Sequence, residues 1–182
     1  VLWFKLFGKN KNHIMYWPSP WGDGFPGWHI ECSAMSMKYL GERFDIHCGG
    51  IDLIPVHHEN EIAQNEAAVG HQVVNFWLHG VFFNFDKEKM AKSAGSFVRL
   101  QDIIDKGCLP LAFRYLCLQT HYRQKLNFSF EALEAAQNAL KNLCQKISEG
   151  DEKSKSVFKD FENKFLEAIN DDLNMPKALS VV

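Results

Sequence analysis

Between Trp28 and Phe83 the apolar pattern changes period repeatedly, and the first three changes each fall at a glycine. In "WHIECSAMSMKYL" the apolar residues 30, 34, 37 and 40 step by four and three, which predicts a helix over 28–40 stopped by Gly41. "FDIHCGG" is short, β-leaning and closed by two glycines, as a strand running into a tight turn would be. A second helix is expected from about His57 to Val69 with Gly70 behind it, then a buried strand over 73–83. Helix, strand, loop, helix, strand is the order of an α/β sheet with parallel strands. Ahead of it, residues 1–27 are too rich in Gly, Pro and aromatics for a long helix and read as an ordered loop packed through its tryptophans.

After the second strand comes "NFDKEKMAKSAGSF", polar and read as a mobile surface loop. From about Leu109 helices dominate. In "FEALEAAQNALKNLCQKI" residues 133, 136, 140, 143 and 147 form one stripe, with Ser129 placed to cap the start. The charged stretch "SEGDEKSKS" reads as a linker, and "VFKDFENKFLEAI" repeats the amphipathic pattern through Phe158, Phe161, Phe165 and Ile169. The C-terminal third is therefore expected to be all helical.

With 182 residues and 46% hydrophobic content the chain can bury a core, and no apolar run approaches the ~20 residues of a membrane span. Twenty basic against twenty-two acidic residues leave a net charge of -2, so any nucleic-acid contact must come from a local patch. Five cysteines at irregular spacing, with no signal peptide ahead of them, fit a reducing, cytoplasmic compartment better than a disulfide framework. Cys108, Cys117 and Cys144 lie among apolar helical positions and are expected to be small buried residues. Both ends read as cut.

"PVHHENEIAQ" concentrates two histidines and two glutamates in ten positions. His57 and Glu61 are four apart, so they project from one helix face. Such a pair also decorates solvated faces, but Cys32 on the preceding helix, with His29 three residues before it, can be brought close across the glycine turn. Thiolate, imidazole and carboxylate form a plausible zinc set, open in its fourth place if only three protein ligands bind. His58 faces elsewhere, as a packing or orienting residue, and Cys48 is a lesser competing ligand. In "KMAKS", Lys89 and Lys92 stand three apart, two ammoniums suited to an anion.

"PSPWGDGFPGWHIECSAM", "FDIHCGGIDLIPVHHENEIAQNEA" and "KMAKSAGSF", in this order and spacing, resemble the cysteinyl-tRNA synthetases, a family of class I aminoacyl-tRNA synthetases. "HYRQKLNFSFEALEAAQNAL" and "DDLNMPKALSVV" extend the likeness over nearly the whole chain. The resemblance implies the second half of a Rossmann-like parallel-sheet nucleotide-binding domain over 1–107, ending in the lysine loop. A connecting, stem-contact segment over 108–128 and the start of a helical tRNA-binding domain over 129–182 follow. It implies a ligase that activates L-cysteine with ATP, Mg2+ assisting, and transfers it to tRNA(Cys), as a monomer without membrane contact.

Position by position, the resemblance assigns Cys32, His57 and Glu61 to one zinc ion that binds the substrate thiolate, with a further cysteine ligand upstream. Trp28 and His47 match the cysteine pocket, and Gly49, Gly50 and Asp52 the turn that receives the adenylate ribose. Lys89 and Lys92 match the lysines that steady phosphate charge during catalysis, Lys92 also contacting ATP. Ala91 replaces a serine of that loop, Cys48 a glycine and Phe25 an arginine. The HIGH signature belongs upstream, so the chain reads as a central fragment, inactive alone. A related ligase joining cysteine to a sugar amine would share this site, and a non-catalytic zinc or RNA-binding module is the reading from another class. Clustered cations and aromatics at Arg114, His121, Tyr122 and Arg123 suggest where an acceptor end would lie.

Overall fold

The computed structural model describes residues 1–85, 88–89, 98–149 and 155–182, without side-chain detail at 88–89 and 155–157. Lys92, expected to meet the phosphates, lies outside these residues, and only the backbone is described at Lys89. The protein is a mixed α/β chain made of two compact units, Val1–His79 and Gly80–Val182.

The first unit opens with strand β1 (Trp3–Lys5) antiparallel to β2 (Gly24–Pro26), in the register Phe4↔Phe25. The long loop between them is tied by the Trp3 indole N–H donating to the Gly22 carbonyl at 3.2 Å, with Trp3 and Trp21 rings 6.2 Å apart. Gly24 is required here, because a Cβ would collide with the Phe4 carbonyl across the pair. Helix α1 (Trp28–Leu40) has the predicted bounds, and Gly41 ends it at φ +91°, open only to glycine without strain. Strand β3 (Phe44–Gly50) follows as expected and lies beside β4 (Val74–Gly80).

Three expectations are corrected here. Helix α2 runs from Glu59 to Val69, whereas His57 and His58 lie in a wide π-type turn, Ile54–His58, that begins with Pro55 in its first positions. The predicted strand over 73–83 divides into β4 and β5 (Phe83–Phe85), and only Val73 and Val74 of it are buried. The apolar stripe of α1 also fails to define its buried face. Ser33 is the buried residue, donating from Oγ to Gln64 Oε1 on α2 at 3.1 Å. Phe44, Val73 and Val74 are the buried apolar side chains of the unit, against five buried polar ones: Ser33, His57, His58, Glu61 and Asn65. An interior so polar is built to hold something other than hydrocarbon.

The second unit has a conventional core. Phe128, 1% exposed, sits among Phe83, Phe85, Phe113 and Phe130 at centroid distances of 5.4–6.1 Å, over Leu133 and Ala136. Phe128 belongs to β7 (Leu126–Phe128), a strand absent from the expected helical region, which pairs parallel to β5; β6 (Glu88–Lys89) pairs antiparallel on the other side of β5. Helix α3 (Leu100–Asp105) is capped by Asp102, which accepts from the Arg99 N–H at 2.7 Å, and α4 (Pro110–Leu118) starts on a proline. Helix α5 (Phe130–Glu149) is capped by Ser129, whose Oγ accepts from the Ala132 N–H at 3.2 Å. With α6 (Lys155–Asn170), it extends helix into both ends of the expected linker. Cys108 is buried as expected, Cys117 half-buried, but Cys144 is exposed, because the stripe of α5 loses its cover beyond Leu143. Among the described residues no helix is long and apolar enough to cross a membrane.

The turn between α6 and α7 (Met175–Val181) carries two non-glycine residues in the left-handed region, Asp172 at φ +52° and Leu173 at φ +55°. Asp172 is held there by Arg123 Nε at 2.5 Å and by the Tyr122 hydroxyl, which donates at 2.6 Å. The Arg123 guanidinium, then the Tyr122 hydroxyl, draw its carboxyl down to about 2. Because this value lies below that of an unfolded carboxylate, about 3.9, the latch adds stability above pH 4 and loses it as pH falls toward 2. Asp172→Asn keeps a residue suited to left-handed backbone and removes only the charge. Urea midpoints of the two chains are expected to differ at pH 6 and converge by about pH 2; a constant gap would show that the latch is not electrostatic.

Candidate metal centre

Three elements bring the predicted ligands together. Cys32 projects from the second turn of α1, His57 from the wide turn and Glu61 from the first turn of α2, with α1 and α2 packed side by side. One sulfur, one nitrogen and one oxygen of these residues all lie within 4.8 Å of one another. Glu61 is fully buried and His57 is 4% exposed.

Nε2 of His57 comes within 2.8 Å of Glu61 Oε1, and Nε2 of His47 is 3.5 Å from Oε2. Neither contact makes a hydrogen bond, and both oxygens lack one among the described residues. Burial pushes the Glu61 carboxyl up to about 7. Burial also raises the Cys32 thiol, with Glu61 and Glu31 adding to it, and lowers His57, with His29 adding to it. A thiol, a neutral imidazole and a buried carboxyl, each pushed toward its uncharged form, are groups whose charges a divalent cation would balance. The donor set and the orphaned carboxylate fit zinc.

Further residues, less visible in the sequence, shape the centre. His29 Nδ1 lies 2.8 Å from His57 Nδ1, so one ring donates to the other and the His57 ring is fixed with Nε2 toward Glu61. Trp28 covers His57 with centroids 4.2 Å apart. His58, 3% exposed, bonds His79 through Nδ1 at 2.8 Å and packs on Trp77 and His47. Burial pulls His58 down to about 4, with His47, His79 and His57 adding to the effect. His47, His58 and Glu61 form a second group with metal-ligand spacing. Asn65, 1% exposed and one turn beyond Glu61, has neither side-chain atom hydrogen-bonded among the described residues; nothing in the sequence signals it.

Gly49 and Gly50 end β3, and Asp52 follows in a short 3-10 turn, Ile51–Leu53. A Cβ on Gly49 would sit 2.5 Å from Cε1 of His58, so this glycine lets the buried histidine pack beneath the turn. Cys48 is exposed and joins neither donor group.

In fold, the chain matches a segment of a solved structure. It is similar to the leucyl enzyme in a crystal structure of the ternary complex of Agrobacterium radiobacter K84 agnB2 LeuRS, tRNA and LeuAMS. The TM-score is 0.64 at 14% identity, over 92% of this chain and 28% of that one. Residues 1–138 match the family model of tRNA synthetases class I (C) catalytic domain, and the chain belongs to this family. It is 57% identical to cysteine–tRNA ligase 1 of Burkholderia lata over 100% of this chain and 38% of the relative. It is 48% identical to the cysteine–tRNA ligase of Treponema denticola over 99% and 42%. The chain thus spans about two fifths of the length of these relatives.

Proposed function

We propose that this chain is the part of a cysteine–tRNA ligase that selects cysteine and carries half of the adenylate site. The observation that carries the reading is the convergence of Cys32, His57 and Glu61 on a buried point beside Trp28. These three residues would hold one zinc ion. When bound, it supplies a borderline-soft Lewis acid that prefers a thiolate to a hydroxyl, which separates cysteine from serine by acidity and softness. Trp28 would wall the amino-acid pocket and His47, stacked on Trp77 at 4.6 Å, would close another side. His29 orients the His57 ring toward the donors.

For the nucleotide, Gly49 and Gly50 allow close backbone approach and Asp52 can accept ribose hydroxyl bonds. Lys89 and Lys92 would steady the phosphates, where Mg2+ would add further charge, while the cysteine carboxylate attacks the α-phosphorus of ATP and pyrophosphate leaves to give cysteinyl-adenylate. The acceptor is tRNA(Cys). In this reading 1–107 is the second half of a Rossmann-like catalytic domain, 108–128 a connecting segment and 129–182 the start of a tRNA-binding helical domain, in a cytoplasmic monomer.

Calorimetric titration of the zinc-loaded chain tests the reading. Cysteine is expected to bind at least about 100-fold more tightly than serine, and equal affinities would sink it.

A further inference from the structure

We propose that Asn65 is a positioning residue of the metal centre: its amide N–H holds the Glu61 carboxylate oxygen that a bound zinc ion leaves free. The zinc ion rests on the proposed function; the features of Asn65 are independent of it. Asn65 is 1% exposed, and neither its Nδ2 nor its Oδ1 is hydrogen-bonded among the described residues. Glu61 is fully buried with both carboxylate oxygens in the same condition. Among the described residues these four are the buried side-chain nitrogens and oxygens without a hydrogen bond, and they belong to two residues one turn apart on α2. The two groups are complementary. An ionised carboxylate can only accept, whereas an amide has two N–H groups to give.

Helix geometry brings the donor to the acceptor. Residues 61 and 65 are four apart within α2, which sets their Cβ atoms about 5–6 Å from each other on one face. Every Cα–Cβ bond of a helix tilts toward its N-terminus, so Asn65 leans over the turn that carries Glu61. The two side chains do not bond directly here, and one water that accepts from Nδ2 and donates to the carboxylate spans such a gap. Helix α1 leaves Asn65 free for this task. The Ser33 hydroxyl donates to Gln64 Oε1 at 3.1 Å and the Ser36 hydroxyl to the Ser33 carbonyl at 3.1 Å, so neither proton is left for the amide. Packing alone does not ask for an amide at this position, since a leucine has the same branching and no polar group to leave unmet. Tetrahedral zinc takes one carboxylate oxygen, and a donor on the other fixes the rotamer in which the first points at the ion.

The test is zinc affinity of the 182-residue chain and its variants by chelator competition. Asn65→Leu is expected to bind zinc about 10-fold more weakly, and Asn65→Asp, which turns an acceptor toward the carboxylate, at least as weakly. Asn65→Ser keeps a donor that works through water and should stay within about threefold of the parent. Because Asn65 acts through Glu61, the Leu change should cost less than about twofold when made in Glu61→Gln. Unfolding in chelator should find Asn65→Leu no less stable than the parent, whereas a role confined to packing would lower stability and leave zinc affinity alone. If leucine disturbs the metal-free fold, the serine and aspartate variants carry the comparison, the first binding zinc more tightly than the second. Parent-like affinity in Asn65→Leu and Asn65→Asp, or an equal loss in the parent and Glu61→Gln backgrounds, overturns the proposal. A parent chain that binds zinc without preferring cysteine to serine strikes the proposed function alone, and one that binds no zinc overturns both.

Discussion

The Cys32→Ser chain is expected to bind zinc at least about 100-fold more weakly than the parent. Loss of groups that merely orient ligands already costs about 10- to 100-fold in metal affinity, and Cys32 supplies the sulfur itself. Serine retains its proton at neutral pH and offers a hard oxygen, so the strongest charge neutralisation of the ion disappears with the thiolate. Cys32 is only half-buried and the two side chains differ by one atom, so the metal-free fold should hardly change. Chelator competition measures the affinity, and unfolding with and without zinc separates the two effects. This variant also decides between the two donor groups that share Glu61. An ion held by His47, His58 and Glu61 would be indifferent to position 32; affinity within about threefold of the parent would move the ion there and remove the sulfur from the site.

Sequence periodicity captured the frame of this centre and missed its floor. Helix α1 was legible to the residue, because a glycine at φ +91° is a local event that local chemistry announces. The His57–Glu61 spacing was legible for the same reason. The wide turn Ile54–His58 was not: it sets two adjacent histidines both inside, where a regular helix would turn the second one away. Strand β7 escaped because a three-residue segment means little until Phe83–Phe85 pairs with it from some forty residues earlier, and such pairing leaves no local trace. The break between β4 and β5 was hidden because Val81 and Phe82 continue the apolar run across it. Ser33 was overlooked in favour of neighbouring Met and Ile for a related reason: what lies against α1 is the polar face of α2, not a hydrocarbon layer.

The Glu61→Gln chain is expected to be more stable than the parent without zinc and less stable with it. At pH 8, above the raised value of about 7, the metal-free parent holds an ionised carboxylate with no hydrogen bond in a fully buried place. A glutamine amide carries no charge and can donate to Nε2 of His57 or His47, which stand 2.8 and 3.5 Å from the carboxylate oxygens. Relief of that burden should stabilise the metal-free chain by about 1–2 kcal/mol. In saturating zinc the sign reverses. A fall of about 100-fold in affinity removes about 2.7 kcal/mol of the stabilisation that binding confers, more than the metal-free gain returns. Thermal unfolding of both chains, with chelator and with excess zinc, reads all four states. The crossing is the informative result: a carboxylate serving only the fold would lose stability in both conditions, and one serving neither would show no dependence on metal. A buried acid that weakens its own fold until a cation arrives is the physical signature of a ligand, and position 61 is where this chain should display it.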